Sequence, residues 1–356
     1  MDSKNKLKVS VLKLAVAIGI SFAIVCIIIF AVSDAPLTAI HAMFIGPFTT
    51  LRRFSNIIEA MTPLMFTGLS VILLYRAGLF NLSMEGGFFI SAVVATACAT
   101  LLKLPAGLNL IVAVLAAALA GGISSLIPGL LRVKCQANEL VTSLMLNYVL
   151  LYLGLYLVIN FMHDPSQNAN YSYAFPENMQ FARLFNGTRI NAGTFVALLC
   201  VVLVYILLNK TSFGYKVTMI GLNKDMASAS GINVGWVIIL SQMIGGMLTG
   251  VGASMEMFGM YKRFQYSDLP GFGWDGVLIA IVAQFKPEFV PLSSFFLAYV
   301  RIGADIMART TNVPAEIITI IQAVVIVLIS AEALLSHYQR RVVVKQTLKE
   351  VTSDVK

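Results

Sequence analysis

Apolar residues run through this chain in long unbroken blocks, without the strict alternation of a half-buried strand or the single stripe of a soluble amphipathic helix. The blocks lie at 11–32, 57–75, 86–102, 108–131, 140–161, 192–208, 234–258, 276–283, 289–303 and 315–335. A helix needs roughly 20 apolar residues to cross the hydrocarbon core. The pattern therefore predicts an all-α polytopic membrane protein of about ten transmembrane helices, with one conspicuously short span at 276–283. A single transmembrane domain over 1–340 and a tail at 341–356 follow. The first block is too long for a removed signal peptide and lacks its small-residue cleavage pattern, so it is expected to stay attached.

Composition sharpens that picture. Of the 356 residues, 58% are hydrophobic and 12% charged, against roughly 25% charged in an ordinary soluble domain, which excludes a water-soluble enzyme and a disordered chain. Cys26, Cys98, Cys135 and Cys200 show no metal or disulfide spacing and read as packing residues. His41, His163 and His337 are too far apart to suggest a haem or metal site. A net charge of +8 raises nucleic acid as a partner, and the placement of the charge decides against it. Threading the spans from an inside amino terminus puts Lys4, Lys6, Lys8, Lys13, Arg76, Arg132, Lys134, Lys210, Lys216, Lys224, Lys286 and the basic tail on the inner side, as the positive-inside bias requires. Arg52, Arg53, Lys262 and Arg263 are left outside. Both termini are then cytoplasmic. The polar, Asn- and Tyr-rich loop 162–191 is outside, and loop 209–233 is inside, where Gly214, Gly221 and Gly231 punctuate a stretch of helix formers from Lys224 to Ser230.

The two halves carry the same marks in the same order. Residues 79–87 (LFNLSMEGG) precede the third block and residues 270–276 (PGFGWDG) precede the eighth. Each is an aromatic and small-residue stretch followed by a carboxylate and a glycine. Two spans later, Glu139-Leu140-Val141-Thr142 and Glu316-Ile317-Ile318-Thr319 open the fifth and tenth blocks. An offset of five spans makes the halves, roughly 11–161 and 192–335, inverted five-helix repeats, the arrangement that supports alternating access. Glycine-rich irregular backbone in a membrane must be buried in protein or line a wet cavity, so the transport path is expected near these stretches. Glu85, Gly86 and Asp275 are path candidates, with the alternative that each carboxylate only caps its helix. Asn81, Asn147 and Gln322 can bind a hydroxylated or amide-bearing solute, or can equally form interhelical hydrogen bonds. Ala117, Ala118, Gly121, Gly122, Gly246 and Gly250 read as close helix packing. Glu59, Glu256, Asp305 and Glu332, near block ends, can reach headgroups or water.

Other chemistry is missing. There is no G-x-x-x-x-G-K-[ST] loop to cradle ATP phosphates, no G-x-S-x-G elbow and no H-E-x-x-H helix. An enzyme is a poor reading, and any ATP must be handled by another chain.

The segment RAGLFNLSMEGG at 76–87 resembles the "GLFNIGVEGQ" segment of permease subunits from bacterial ABC importers of the nucleoside, ribose and branched-chain amino acid group. Gly214-Tyr215-Lys216 with Ala229-Ser230-Gly231-Ile232-Asn233 resembles that group's cytoplasmic loop, residues 271–276 (GFGWDG) its "GYGFDG" segment, and Val313-Pro314-Ala315-Glu316 its "VPAEL" segment. The resemblance spans about 76–335 and is closest to nucleoside permeases. It implies a type II ABC importer permease fold in the bacterial cytoplasmic (inner) membrane. It also implies a second permease chain, related or identical, and a pair of ABC ATP-binding subunits carrying ATP and Mg, with no cofactor on this chain. An extracytoplasmic solute-binding lipoprotein is the remaining implied partner. The loop 209–233 is expected to carry the helix that docks on the ATPase, through Gly214, Tyr215, Lys224, Ala227, Ala229 and Gly231. Nucleosides are the expected solute, with Phe80, Phe88, Phe272 and Trp274 able to stack on a base or to pack helices. The same permease type moving ribose or another simple sugar is the alternative, and an ion-coupled carrier using Glu85 or Asp275 is a third. Ser83, Met84, Gly87, Ala283 and Gln284 depart from the group's usual residues near the expected path.

Overall fold

The computed structural model describes residues 35–311, apart from 103, 104, 106, 168–170, 185 and 186, and before them residues 24, 26, 27, 29 and 30. The tenth block, with Glu316, Gln322 and Glu332, the basic tail and most of the first block lie outside the described residues. Among the described residues the protein is helical, with two isolated β-bridges, His163 to Ser172 and Arg183 to Asn191. The helices are α1 (Pro36–Phe44), α2 (Leu51–Arg76), α3 (Met84–Leu101), α4 (Leu108–Cys135), α5 (Glu139–Leu157), α6 (Ala192–Lys210), α7 (Ser212–Leu222), α8 (Lys224–Ala229), α9 (Val234–Gly259), α10 (Phe272–Val282) and α11 (Val290–Thr310). A π turn, Val158–Met162, extends α5, and a short 3-10 turn, Pro287–Phe289, leads into α11.

Among the described residues, seven helices are long and apolar enough to cross a membrane: α2, α3, α4, α5 with its π turn, α6, α9, and the stretch Pro287–Thr310. The short eighth apolar block falls in α10, an apolar helix of 11 residues that is shorter than those seven. Helix starts fall where capping side chains stand. Thr50 accepts from the Arg53 N–H at 3.2 Å, Asn138 from Leu140 at 3.0 Å, Asn191 from Gly193 at 2.9 Å, and Asn233 from Trp236 at 3.0 Å. These side chains satisfy amides that have no intrahelical partner. The carboxylates Glu85, Glu139 and Asp275 all sit in first turns, where the positive end of the helix dipole favours them.

The chain divides into two compact units. One, Thr50–Ala298, holds α2 to α10 and the start of α11. Its centre is the contact of α4 with α9, where small residues let backbones touch. A Cβ on Gly121 would lie 2.2 Å from the Gly246 carbonyl oxygen, and one on Gly250 2.2 Å from that of Ala117. Without a hydrophobic driving force between helices in lipid, such close packing is what holds spans together. Around this centre α3 packs on α9, and α10 packs on α2. The other unit comprises Met1–Thr49 and Tyr299–Lys356. There the Tyr299 hydroxyl donates to the Phe44 carbonyl at 2.9 Å, and Gly303 lies against the Met43 backbone.

Candidate functional site

Two helix starts meet inside the larger unit. Gly271, at φ +86, is the residue before α10, and its left-handed backbone is one that glycine adopts freely. This turn aims the first amides of α10 at α3. Glu85, in the first turn of α3, takes them up: Gly271 N–H donates to Oε1 and Gly273 N–H to Oε2, each at 2.5 Å. The approach requires glycine, since a Cβ on Gly273 would sit 2.6 Å from the Glu85 nitrogen. Glu85 is thus a cap, but of the other helix. Phe88 and Phe272 stack beside the junction, centroids 4.6 Å apart, and Asp275 is buried next to it. Two positive helix ends converge on two carboxylates, so the charges offset one another.

The irregular stretch 77–83 is held from α5 and α9. Asn147, on α5, accepts from the Gly86 N–H at 2.9 Å and donates to the Leu82 carbonyl at 3.0 Å, replacing partners that the start of α3 lacks. Gly86 leaves no room for a Cβ against the Asn147 backbone. Asn81 accepts from the Ser83 N–H at 2.7 Å and donates to Gln242 Oε1. Gln242 in turn donates to Glu139 Oε1 at 2.5 Å, and Arg132 donates to Glu139 Oε2. A polar chain therefore runs from the irregular stretch through α9 and the start of α5 to the end of α4. In a medium without water, each link must be satisfied within the protein.

The structure brings Asn81, Glu85, Gly86, Asn147, Phe272 and Asp275 into one buried cluster and points them inward, where the amides are occupied by the fold. Phe80 and Trp274 differ, at 50% and 53% exposed. Phe80 lies 4.8 Å from the Tyr75 ring, which stacks on Phe285 at 5.5 Å. Gln322 lies outside the described residues. Sequence reasoning missed Gln242, although a lone amide inside an apolar block was the signal for it. It read Arg132 only as a topology charge, and Met84 only as a departure from the group's usual residue, not as a sulfur that accepts hydroxyls from Ser70 at 2.8 Å and Thr249 at 3.1 Å.

Loop 209–233 is helical. Thr211 caps α7 by accepting from Gly214 at 3.2 Å, and Asn223 caps α8 by accepting from Asp225 and Met226 at 3.0 Å each. Gly214 and Gly221 let α7 lie against the end of α6 and the Arg76 carbonyl, with no space for a Cβ at either. Gly231, at φ +79, ends α8, and the Ile232 N–H reaches back to the Ala227 carbonyl at 3.1 Å, closing a glycine C-cap. Ala227 is buried, while Tyr215, Leu222, Lys224, Met226 and Ala229 are exposed. Among the described residues no group of three or more His, Cys, Asp or Glu side chains is arranged to hold a metal ion.

Residues 53–330 match the family described as branched-chain amino acid transport system, permease component. A glucose ABC transporter permease of Haloferax volcanii is 30% identical over 325 residues, covering 87% of this chain and 84% of that protein. A guanosine ABC transporter permease of Bacillus subtilis is 28% identical, covering 82% of this chain and 84% of its own length. A nucleoside ABC transporter permease of Lactococcus lactis is 26% identical and covers 93% of each chain.

Proposed function

This chain belongs to the permease-component family of branched-chain amino acid transport systems, and we propose that within it the protein forms the membrane path of an ATP-driven importer for nucleosides. As an ABC permease subunit it is a multi-pass membrane protein and not itself an enzyme. The observation that carries the mechanism is the Glu85 clamp, which ties the start of α3 to the start of α10. If α3 and α10 are corresponding elements of inverted repeats, the clamp sits on the axis relating them. The packing of α3 on α9 and of α10 on α2 supports that reading, because it pairs corresponding helices crosswise. Alternating access then exchanges the roles of the two halves about this joint.

The solute assignment draws on the guanosine and nucleoside permeases among the relatives and on the exposed rings of Phe80 and Trp274. A second reading, a simple sugar, is favoured by the glucose permease relative. ATP and Mg belong on a partner ATPase, for which the exposed Tyr215, Leu222, Lys224 and Met226 on α7 and α8 offer a docking surface. Movement of that partner would bias one permease arrangement over the other by differential contact. A second permease chain, an outer solute-binding lipoprotein meeting loop 162–191, and cytoplasmic termini complete the proposal. Purification with its partners, followed by ATPase assays with guanosine, adenosine, uridine, ribose and glucose, tests it. Stimulation by nucleosides supports the first reading, stimulation by sugars alone the second, and a chain without any ATPase partner refutes both.

A further inference from the structure

Three spans of the larger unit show broad faces to their surroundings, and their chemistry differs. The exposed stripe of α4 is Ile111, Leu115, Leu119, Ile123 and Ile127, all aliphatic. That of α6 is Leu198, Leu199, Val202 and Leu203, with Tyr205 within two turns of the Lys210 end. Both faces suit lipid, where tyrosine belongs only at the headgroup level. The exposed face of α5 also carries apolar residues, Met145, Val149 and Leu153, but beside them runs a row of another kind. Tyr148, Tyr152 and Tyr156, at 56%, 68% and 59% exposed, stand at every fourth position, and the exposed Asn160 continues the row. Fourth-residue spacing places them on one face. Tyr148 and Tyr152 lie at least about 13 Å from either end of the span at 1.5 Å per residue. Phenol hydroxyls at that depth in hydrocarbon would be unsatisfied and costly. Apolar residues serve on α4, on α6 and at Met145, Val149 and Leu153 of α5 itself, so these hydroxyls have some other reason to be there.

A second observation marks the same face. Directly after Tyr156 the helix widens into the π turn Val158–Met162, and the Asn160 side chain donates to the Tyr156 carbonyl at 2.8 Å. π turns are rare and concentrate at functional sites. The opposite face of α5, with Ser143, Asn147 and Gly154, is the one buried against α3 and its preceding stretch.

We propose that Tyr148, Tyr152 and Tyr156 form a ladder lining the solute path, with rungs about 6 Å apart, on which a nucleobase stacks while the phenol hydroxyls and Asn160 exchange hydrogen bonds with its polar edge and ribose. A flat aromatic solute bearing hydroxyls fits such a row, because rings give sequence-tolerant stacking and hydroxyls turn freely to suit donors or acceptors. This inference rests on the nucleoside reading above and names the surface that would discriminate the solute.

The test uses the assembled importer, with Cys26, Cys98, Cys135 and Cys200 replaced by serine and a single cysteine at position 148, 152 or 156, or at 119 or 123 as lipid-facing controls. Each is exposed to a charged, membrane-impermeant methanethiosulfonate reagent, with and without guanosine. The ladder predicts labelling at all three tyrosine positions, slowed about tenfold by guanosine, and none at the two controls. It also predicts that Tyr152→Leu lowers guanosine uptake about tenfold, the loss of one stacking partner, while Tyr152→Phe retains more than the leucine variant. Absence of labelling at Y152C puts the face in lipid and overturns the inference. Oxidative cross-linking of Y152C between two copies makes it a permease contact and also overturns it, as does labelling that guanosine does not slow. Wild-type importer that moves no guanosine refutes the nucleoside reading instead, whereas a ladder lost on labelling leaves that reading standing.

Discussion

Glu85 accepts amides from a helix other than its own, and the geometry leaves both carboxylate oxygens committed. Glu85→Gln presents an NH2 group to one of those amides, so a charge-assisted bond is replaced by an opposed pair. Bonds to charged groups are worth about 2 kcal/mol, and the variant should melt measurably earlier in detergent thermal-shift assays. Asn147→Leu should cost a similar amount, because it strands the Gly86 N–H and the Leu82 carbonyl. Both residues stand out in the sequence as rare polar groups at apolar positions. Their partners do not, because the contacts cross from position 85 to 271 and from 147 to 82 and depend on tertiary structure. Asp164, in the loop after α5, is held below the ordinary carboxylate range chiefly by the Ser166 hydroxyl and amide, and further by Arg263 at 3.3 Å. A depressed folded value means the stabilisation is present above the unfolded value of about 3.9 and lost as pH falls through the folded one. Hydrogen exchange of residues 163–167 and 171–175 should therefore be unchanged by titration of this carboxyl between about pH 5 and 8, and Asp164→Asn should raise it at neutral pH.

Helices were the legible level of this chain. Long apolar blocks in lipid have few solutions other than helices, and the blocks at 140–161 and 234–258 correspond to α5 with its π turn and to α9 within a residue or two. Less legible were features set by packing. The start of α2 at Leu51 carries Arg52 and Arg53 and so falls outside the apolar block. The π turn after α5 has no hydropathy signature. Gln284 and Phe285 adopt left-handed backbone, at φ +52 and +56, where glycine is the easier residue. That the small residues of α4 and α9 pack closely was readable from their spacing; that the two helices pack on one another was not. Gly246→Val should prevent that contact, since a Cβ there already lies 2.2 Å from the Gly121 carbonyl oxygen, and yield of folded protein in size-exclusion chromatography checks this. At the proposed ATPase surface, Gly231→Ala forces a side chain into φ +79 at a cost of about 1 kcal/mol. It should loosen the end of α8 and weaken ATPase association in pull-downs without lowering membrane insertion.

Across the larger unit, a pair of irregular stretches, one clamp and a chain of polar side chains link elements that the proposed alternating access would move relative to one another. The polar chain Arg132, Glu139, Gln242 and Asn81 joins α4, α5, α9 and the start of α3, so Gln242→Leu should impair turnover more than solute binding, read as reduced uptake with unchanged half-saturation. The proposed division of labour accounts for the missing ATP loop: a partner ATPase would supply the energy and this chain, a member of the permease family, the path. Nucleosides moved at the expense of ATP are the proposed traffic of this path. Uptake of labelled guanosine into liposomes containing the purified permease, its co-purifying ATPase and its binding protein tests this directly. Uptake is expected to require ATP, to be competed by adenosine and uridine, and to fall when Tyr152 is leucine. ATP-dependent uptake of glucose or ribose with no competition by nucleosides would refute a nucleoside path.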